Sequence, residues 1–132
     1  MNNGTQWFNY KGFGESFRRD HTLNFNMFME KINHTDKNVI FTSGDVHFSE
    51  VCETPKLLNK PSIEITSSCM HSSTFFALPM LSNSEGKIDS TWRQNYLICN
   101  TKQNKNNIFL EIRSYGKGAQ LLFETKTQYA IN

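Results

Sequence analysis

Asp45 and His47 stand two residues apart in Val39-Ile-Phe-Thr-Ser-Gly-Asp-Val-His-Phe-Ser-Glu50, just past an apolar run that stops at Gly44. A hard carboxylate oxygen and a borderline imidazole nitrogen delivered from one strand end suit a metal, because the two donors can share an ion or bridge a pair. Asp also accepts backbone N–H bonds in turns, so a loop-capping Asp45 and a hydrogen-bonded structural His47 are the plain alternatives. Glu50, three residues past His47, and Ser43, two before Asp45, are placed to orient such donors from behind rather than to bind directly. His71 is a further imidazole, with a structural role equally open. Ser67 and Ser68 read as hydrogen-bonding their own loop, since no base accompanies them.

These residues need elements to carry them. Val39–Ser43 is a short β-prone run bounded by Gly, the pattern of a buried strand, and no parallel neighbour for it is evident, so one of its edges is expected to lie open. From Asp20 to Asn33, Phe25, Phe28, Met29 and Ile32 follow the spacing of one helix face, with Asp20 as N-cap and Asn33 near the C-terminal cap. His21 and His34 flank that helix and read as solvated or helix-end residues. Residues 1–19 form an irregular lead-in whose aromatics, Trp7 among them, must pack on something. Ser62–Thr66 alternates as a second strand, and an irregular stretch spans about residues 68–92. Gln94–Asn100, Asn107–Ser114 and Ala119–Lys126 read as three closing strands, the last two joined at Gly116-Lys117-Gly118 as an antiparallel hairpin. Phe109, Ile112, Leu122 and Phe123 compete for the core face of that sheet. The fold class is α/β leaning to α+β: one main helix, then about five strands, in a single domain over 1–132.

Composition narrows the classes. A chain of 132 residues with net charge +2 and interspersed charges carries no nucleic-acid signature. Its longest apolar run, residues 75–81, is far short of the roughly 18 needed to span a bilayer. No basic-then-apolar leader pattern opens the chain, and the compartment stays open. Cys52, Cys69 and Cys99 are widely spaced and odd in number, the pattern of free thiols rather than a zinc knuckle or a disulfide frame.

Taken whole, residues 39–50, followed by Ile63-Glu-Ile-Thr-Ser-Ser-Cys-Met-His-Ser72, resemble the alkaline phosphatase D (PhoD-like) family of calcineurin-like metallophosphoesterases. That family carries a strand ending in S-G-D-x-H-x-x-E and a later one ending in T-S-S-G-x-T-H; Arg93–Ile98 resembles its following N-[FY]-G strand, and Cys69 stands where the family has Gly. The resemblance spans about residues 15–125 and implies the carboxy-terminal part of an αββα-sandwich catalytic domain. It implies a metal-dependent phosphoric-ester hydrolase acting on a phosphate ester, with divalent or trivalent ions, iron and calcium among those found in the family. Asp45 and His47 would be metal donors, His47 and His71 catalytic, and Glu50 and Ser43 supporting. The family's early D-x-H, G-D-x-x-D and G-N-H-[DE] loops have no counterpart: Gly44-Asp45 is the only Gly-Asp pair in the chain. Two metals need about six or more protein donors, so the chain is expected to lack the amino-terminal half of such a domain and to be inactive alone. The other readings are a non-catalytic interaction or metal-binding module derived from such a domain, and an unrelated small domain with an accidental motif.

Overall fold

The computed structural model describes residues 1–9, 15–54, 57–67, 69–71 and 84–130. The described residues form α1 (Phe17–Asp20), α2 (Thr22–Asn33), β1 (Ile40–Ser43), β2 (Ser49–Glu53), β3 (Ile63–Thr66), β4 (Lys87–Thr91), β5 (Asn95–Gln103), β6 (Asn107–Gly116) and β7 (Leu121–Ala130). The mixed α+β content and the closing antiparallel strands match the expectation. Tyr10, Phe13, Ser68 and the apolar run 75–81 lie outside the described residues.

The apolar stripe of α2 is buried through Phe25, Met29 and Ile32. The helix does not run from Asp20, however. His21, at φ −132° and ψ 47°, separates α1 from α2 and takes the N-cap position. Asp20 instead turns back, accepting from the Ser16 backbone N–H at 2.8 Å. At the other end Asn33 donates to the Leu57 carbonyl and accepts from the Asn59 N–H, both at 3.0 Å. The Lys60 ammonium donates to the carbonyls of Ile32, Thr35 and Lys37. A cation from a distant loop thus meets one of the C-terminal carbonyls that the helix leaves open, at Ile32, and two of the turn just beyond it.

Two sheets follow. The first has the order β1-β3-β2-β4, with β1 and β3 parallel and the remaining pairs antiparallel; the second is β5-β6-β7, wholly antiparallel. β2 and β4 fall where the sequence read as loop and irregular stretch. Nor does β1 lack a parallel partner: β3 is one, paired from Ile40↔Ile63 to Ser43↔Thr66. Its outer edge is partly covered as well, because Asn3 N–H donates to the Thr42 carbonyl at 2.9 Å and Thr42 N–H to the Met1 carbonyl at 2.7 Å.

Strand alternation sorts the first sheet into two faces. Ile63, Ile65 and Val51 point at the second sheet, where Leu110, Ile112, Phe123 and Tyr129 complete one core. On the opposite face, Phe41 joins Trp7, Phe8, Phe25, Met29, Ile32 and Leu58 in a second core. Trp7 stacks on Phe28 at 5.2 Å, and Phe8 meets Phe41 edge-on at 4.8 Å. The aromatic lead-in is therefore a strap that, with α2, closes this face. The result is three layers: helix with strap, mixed sheet, antiparallel sheet. Within the last, Ile112 and Phe123 take the inner face while Phe109 stays 40 % exposed. The β6–β7 turn is a 3-10 turn over Lys117–Ala119, with Gly118 at φ 69° and Ala119 at φ 58°. Among the described residues no helix is long and apolar enough to cross a membrane.

Candidate functional site

The loop from Gly44 to Phe48 leaves the carboxyl end of β1 in alternation. Val46 and Phe48 are buried at 7 % and 1 % exposure, and Asp45 and His47 between them are exposed. Both exposed residues sit in the left-handed region, at φ 59° and 61°. For residues other than Gly that backbone costs about 1 kcal/mol or more each, and such strain gathers at functional sites. The apolar pair anchors the loop; the strained pair faces outward.

His71 leaves the carboxyl end of the parallel neighbour β3. The two strand ends are tied together, since Ser67 N–H donates to the Ser43 carbonyl at 3.0 Å. A side chain on Gly44 would bring its Cβ to 3.5 Å from the Ser67 carbonyl oxygen and 3.7 Å from that of Gly4, so the loops pack closely here. In open sheets the carboxyl ends of parallel strands are where ligands gather. His71 is exposed. Among the described residues no three of His, Cys, Asp and Glu converge on one centre. Asp45, His47 and His71 therefore do not fit a two-metal centre by themselves.

Ser43 and Glu50, expected to support these donors, lie beneath the loop in a buried polar network on the strap-covered face. Register places Ser43, Thr66 and Glu50 in one row and Phe41, Glu64 and Cys52 in the next. Glu64, 4 % exposed, accepts from the Trp7 N–H at 2.7 Å and the Ser43 hydroxyl at 2.7 Å on one oxygen, and from the Phe8 N–H at 3.2 Å on the other. The Ser43 and Thr66 hydroxyls are 2.9 Å apart. Glu50, 1 % exposed, accepts from the Gln6 amide and the Ser84 hydroxyl, each at 2.6 Å, with the Lys87 ammonium 3.8 Å away. Asn9 donates to Gln6 at 2.9 Å.

Burial dominates the Glu64 carboxyl and lifts it to about 7, against the pull of its Ser43, Trp7 and Phe8 donors; the Glu50 charge adds to the rise. The Cys52 thiol is likewise pushed far up, chiefly by burial and then by the two carboxylates. It is a thiol held inert.

Sequence reasoning passed over Glu64, Gln6, Asn9 and Ser84. The Ile63-Glu-Ile-Thr66 alternation did place Glu64 and Thr66 on the face opposite the isoleucines. Nothing local signals that this face is roofed by residues 6–9, 57 positions away at Trp7. The one available hint is two amides, Gln6 and Asn9, flanking two aromatics. No protein family, curated protein or solved structure matches this chain.

Proposed function

We propose that this chain carries the late, strand-end loops of a metal-dependent phosphoric-ester hydrolase of the PhoD-like type, and that hydrolysis needs donors from outside it. In this reading Asp45 and His47 hold a divalent or trivalent ion, His71 faces the phosphate, and Ser43 and Glu50 brace the loop root from the buried network. The observation that carries it is the outward pair at φ 59° and 61°, leaving one parallel strand end beside the loop from its neighbour. A backbone strained at two exposed polar residues, and pinned by buried Val46 and Phe48, is what a preorganised donor pair requires.

The second reading, a non-catalytic metal-binding or interaction module, is favoured by one feature. Met1–Asn3 bond to the outer edge of β1, where another strand would otherwise add.

Titration with paramagnetic Mn²⁺, watched through backbone amide resonances, tests the donor assignment. Broadening should centre on residues 44–48 and 69–71 and vanish in Asp45→Asn and His47→Ala. A chromogenic phosphate ester should stay intact with the 132-residue chain. Absence of broadening at both loops sinks the donor assignment. Chelator-sensitive hydrolysis that Asp45→Asn removes would overturn the need for outside donors.

A further inference from the structure

The outer edge of β5 has no partner strand among the described residues. Three backbone bonds fix which groups face that edge. Asn95 N–H donates to the Cys69 carbonyl, and Gly116 N–H, opposite it on β6, donates to the Gln120 carbonyl, so these two do not bond each other. At the far end Asn104 N–H donates to the Asn107 carbonyl. Bonded and unbonded pairs alternate along an antiparallel ladder, so the even-numbered residues of β5 bond β6. The N–H and C=O groups of Leu97, Cys99 and Thr101 point outward, with no partner among the described residues.

Other outer edges are protected. Met1 and Asn3 bond along β1, and β7 carries Glu124 and Lys126 where its backbone faces outward. β5 has neither device. Its 9 residues include no Pro and one charge, Lys102, and its register with β6 runs unbroken from Asn95↔Gly116 to Gln103↔Ile108. A long, regular edge of this kind is a template for another strand. There is room beneath it as well. Cys99 lies opposite Ile112 on one sheet face; Ile112 is 0 % exposed, yet Cys99 and Thr101 are exposed. The mixed sheet therefore covers β6 and ends before the second half of β5. On the other face Tyr96 and Ile98 stay 38 % and 41 % exposed.

We propose that β5 pairs with β5 of a second copy of this chain, antiparallel about a twofold axis at Cys99, joining the two antiparallel sheets into one. On this register the outward groups of Leu97 meet those of Thr101 of the second copy, and Cys99 meets Cys99. Self-pairing also suits the side chains. Ile98 falls opposite Asn100, and Lys102, the one charge on the strand, falls opposite the Tyr96 ring rather than its own twin. Both mixed sheets lie on the same side of the joined sheet, and the uncovered second half of each β5 keeps them apart. A contact made along one strand edge is smaller than a standard interface, so the dimer is weak, with Kd on the order of 100 µM. The pairing is independent of the phosphoesterase reading and can stand if that reading falls.

The test is sedimentation equilibrium of the whole chain in reductant, from about 10 µM to about 1 mM, with amide hydrogen exchange at both ends of that range. The mass should rise from that of one chain toward twice it. Exchange at Leu97, Cys99 and Thr101 should slow with concentration, while the even-numbered amides of β5, already bonded to β6, should change far less. Cys99→Lys sets two ammonium groups directly opposite each other and should weaken the dimer by about fivefold, and mixing it with Cys99→Glu should restore association. Thr101→Pro removes an outward N–H without touching the β5–β6 ladder and should abolish the dimer; the Cys99 pair decides the matter should that variant fail to fold. A chain still monomeric at about 1 mM, which would leave the edge to a strand from another protein, overturns the proposal. So does a dimer in which those odd-numbered amides gain no protection, or one that Cys99→Lys leaves unchanged.

Discussion

Stability should fall as pH rises from about 5 to 8, and Glu64 should be the cause. Burial lifts its carboxyl from 4.5 to about 7, so between those values the folded chain holds a proton that the unfolded chain has lost. The sign follows from linkage: where the folded state binds more protons, stability drops with rising pH. The contribution is fully present below 4.5 and is lost as pH climbs through about 7. A shift of this size corresponds to about 3 kcal/mol at 1.36 kcal/mol per unit, or roughly 10 °C in Tm for a domain of this length. The local geometry accommodates the neutral acid. The protonated carboxyl can donate to the Ser43 hydroxyl oxygen, whose own proton turns to the Thr66 hydroxyl 2.9 Å away, while both carboxyl oxygens still accept from Trp7 and Phe8. Glu50, Cys52 and Lys87 face the same cluster. Glu64→Gln fixes a neutral group but sets an amide against one backbone N–H, a mismatch of about 1–2 kcal/mol. Urea denaturation of both proteins across this range should give curves that converge or cross: wild type ahead near pH 5, the gap closed by pH 8. Subtracting the variant cancels every titrating group the two share. A wild-type advantage independent of pH, or one that grows toward pH 8, refutes the argument.

Gly86 sits at φ 71°, and an added Cβ would lie 2.7 Å from the Glu53 carbonyl oxygen, so Gly86→Ala should cost about 2–4 kcal/mol by chemical denaturation; a loss below about 1 kcal/mol would show that β2 and β4 can part without penalty. Asp45→Gly and His47→Gly relieve left-handed strain and should leave stability within about 1 kcal/mol of wild type, on the stabilising side, while abolishing Mn²⁺ broadening. A loss above about 2 kcal/mol in either would mean that these side chains hold the loop together.

What could be read from the chain beforehand depended on how far apart the causes lie. The α2 stripe at Phe25, Met29 and Ile32 is a local pattern and was legible, as were β1, β3 and the three closing strands. β2 was not, because Ser49-Glu-Val-Cys52 is buried and its Glu50 is satisfied by Gln6 of the strap and by Ser84 rather than by water. β4, Lys87-Ile-Asp-Ser-Thr91, has a single apolar residue and is held mainly by its pairing with β2. The break at His21 and the cation cap from Lys60 are tertiary choices that helix periodicity does not encode. At the strand ends, the motif singled out Asp45 and His47, and both lie exposed on the loop that follows β1. The buried row behind them was invisible, since Glu64 becomes an interior residue only once Trp7 and Phe8 lie across it.

The strap also imposes an order of events on the growing chain. Trp7 and Phe8 are made early, but the carboxylate that accepts their backbone N–H groups lies 57 residues further on. The Asn38 amide waits longer still, for the Ala130 carbonyl 92 residues away. By contrast β5, β6 and β7 pair with immediate neighbours across short turns, the kind of contact that forms fast. On a ribosome Trp7 and Phe8 emerge ahead of the sheet they roof, which cannot close until β3 has followed them out. Released whole, the same chain has its quickest pairings at its carboxyl end and can add the strap only after the mixed sheet exists. Trp7 and Phe8, made before the sheet they roof, are thus late to reach their native place, and in the interval two buried-type aromatics remain open to other chains.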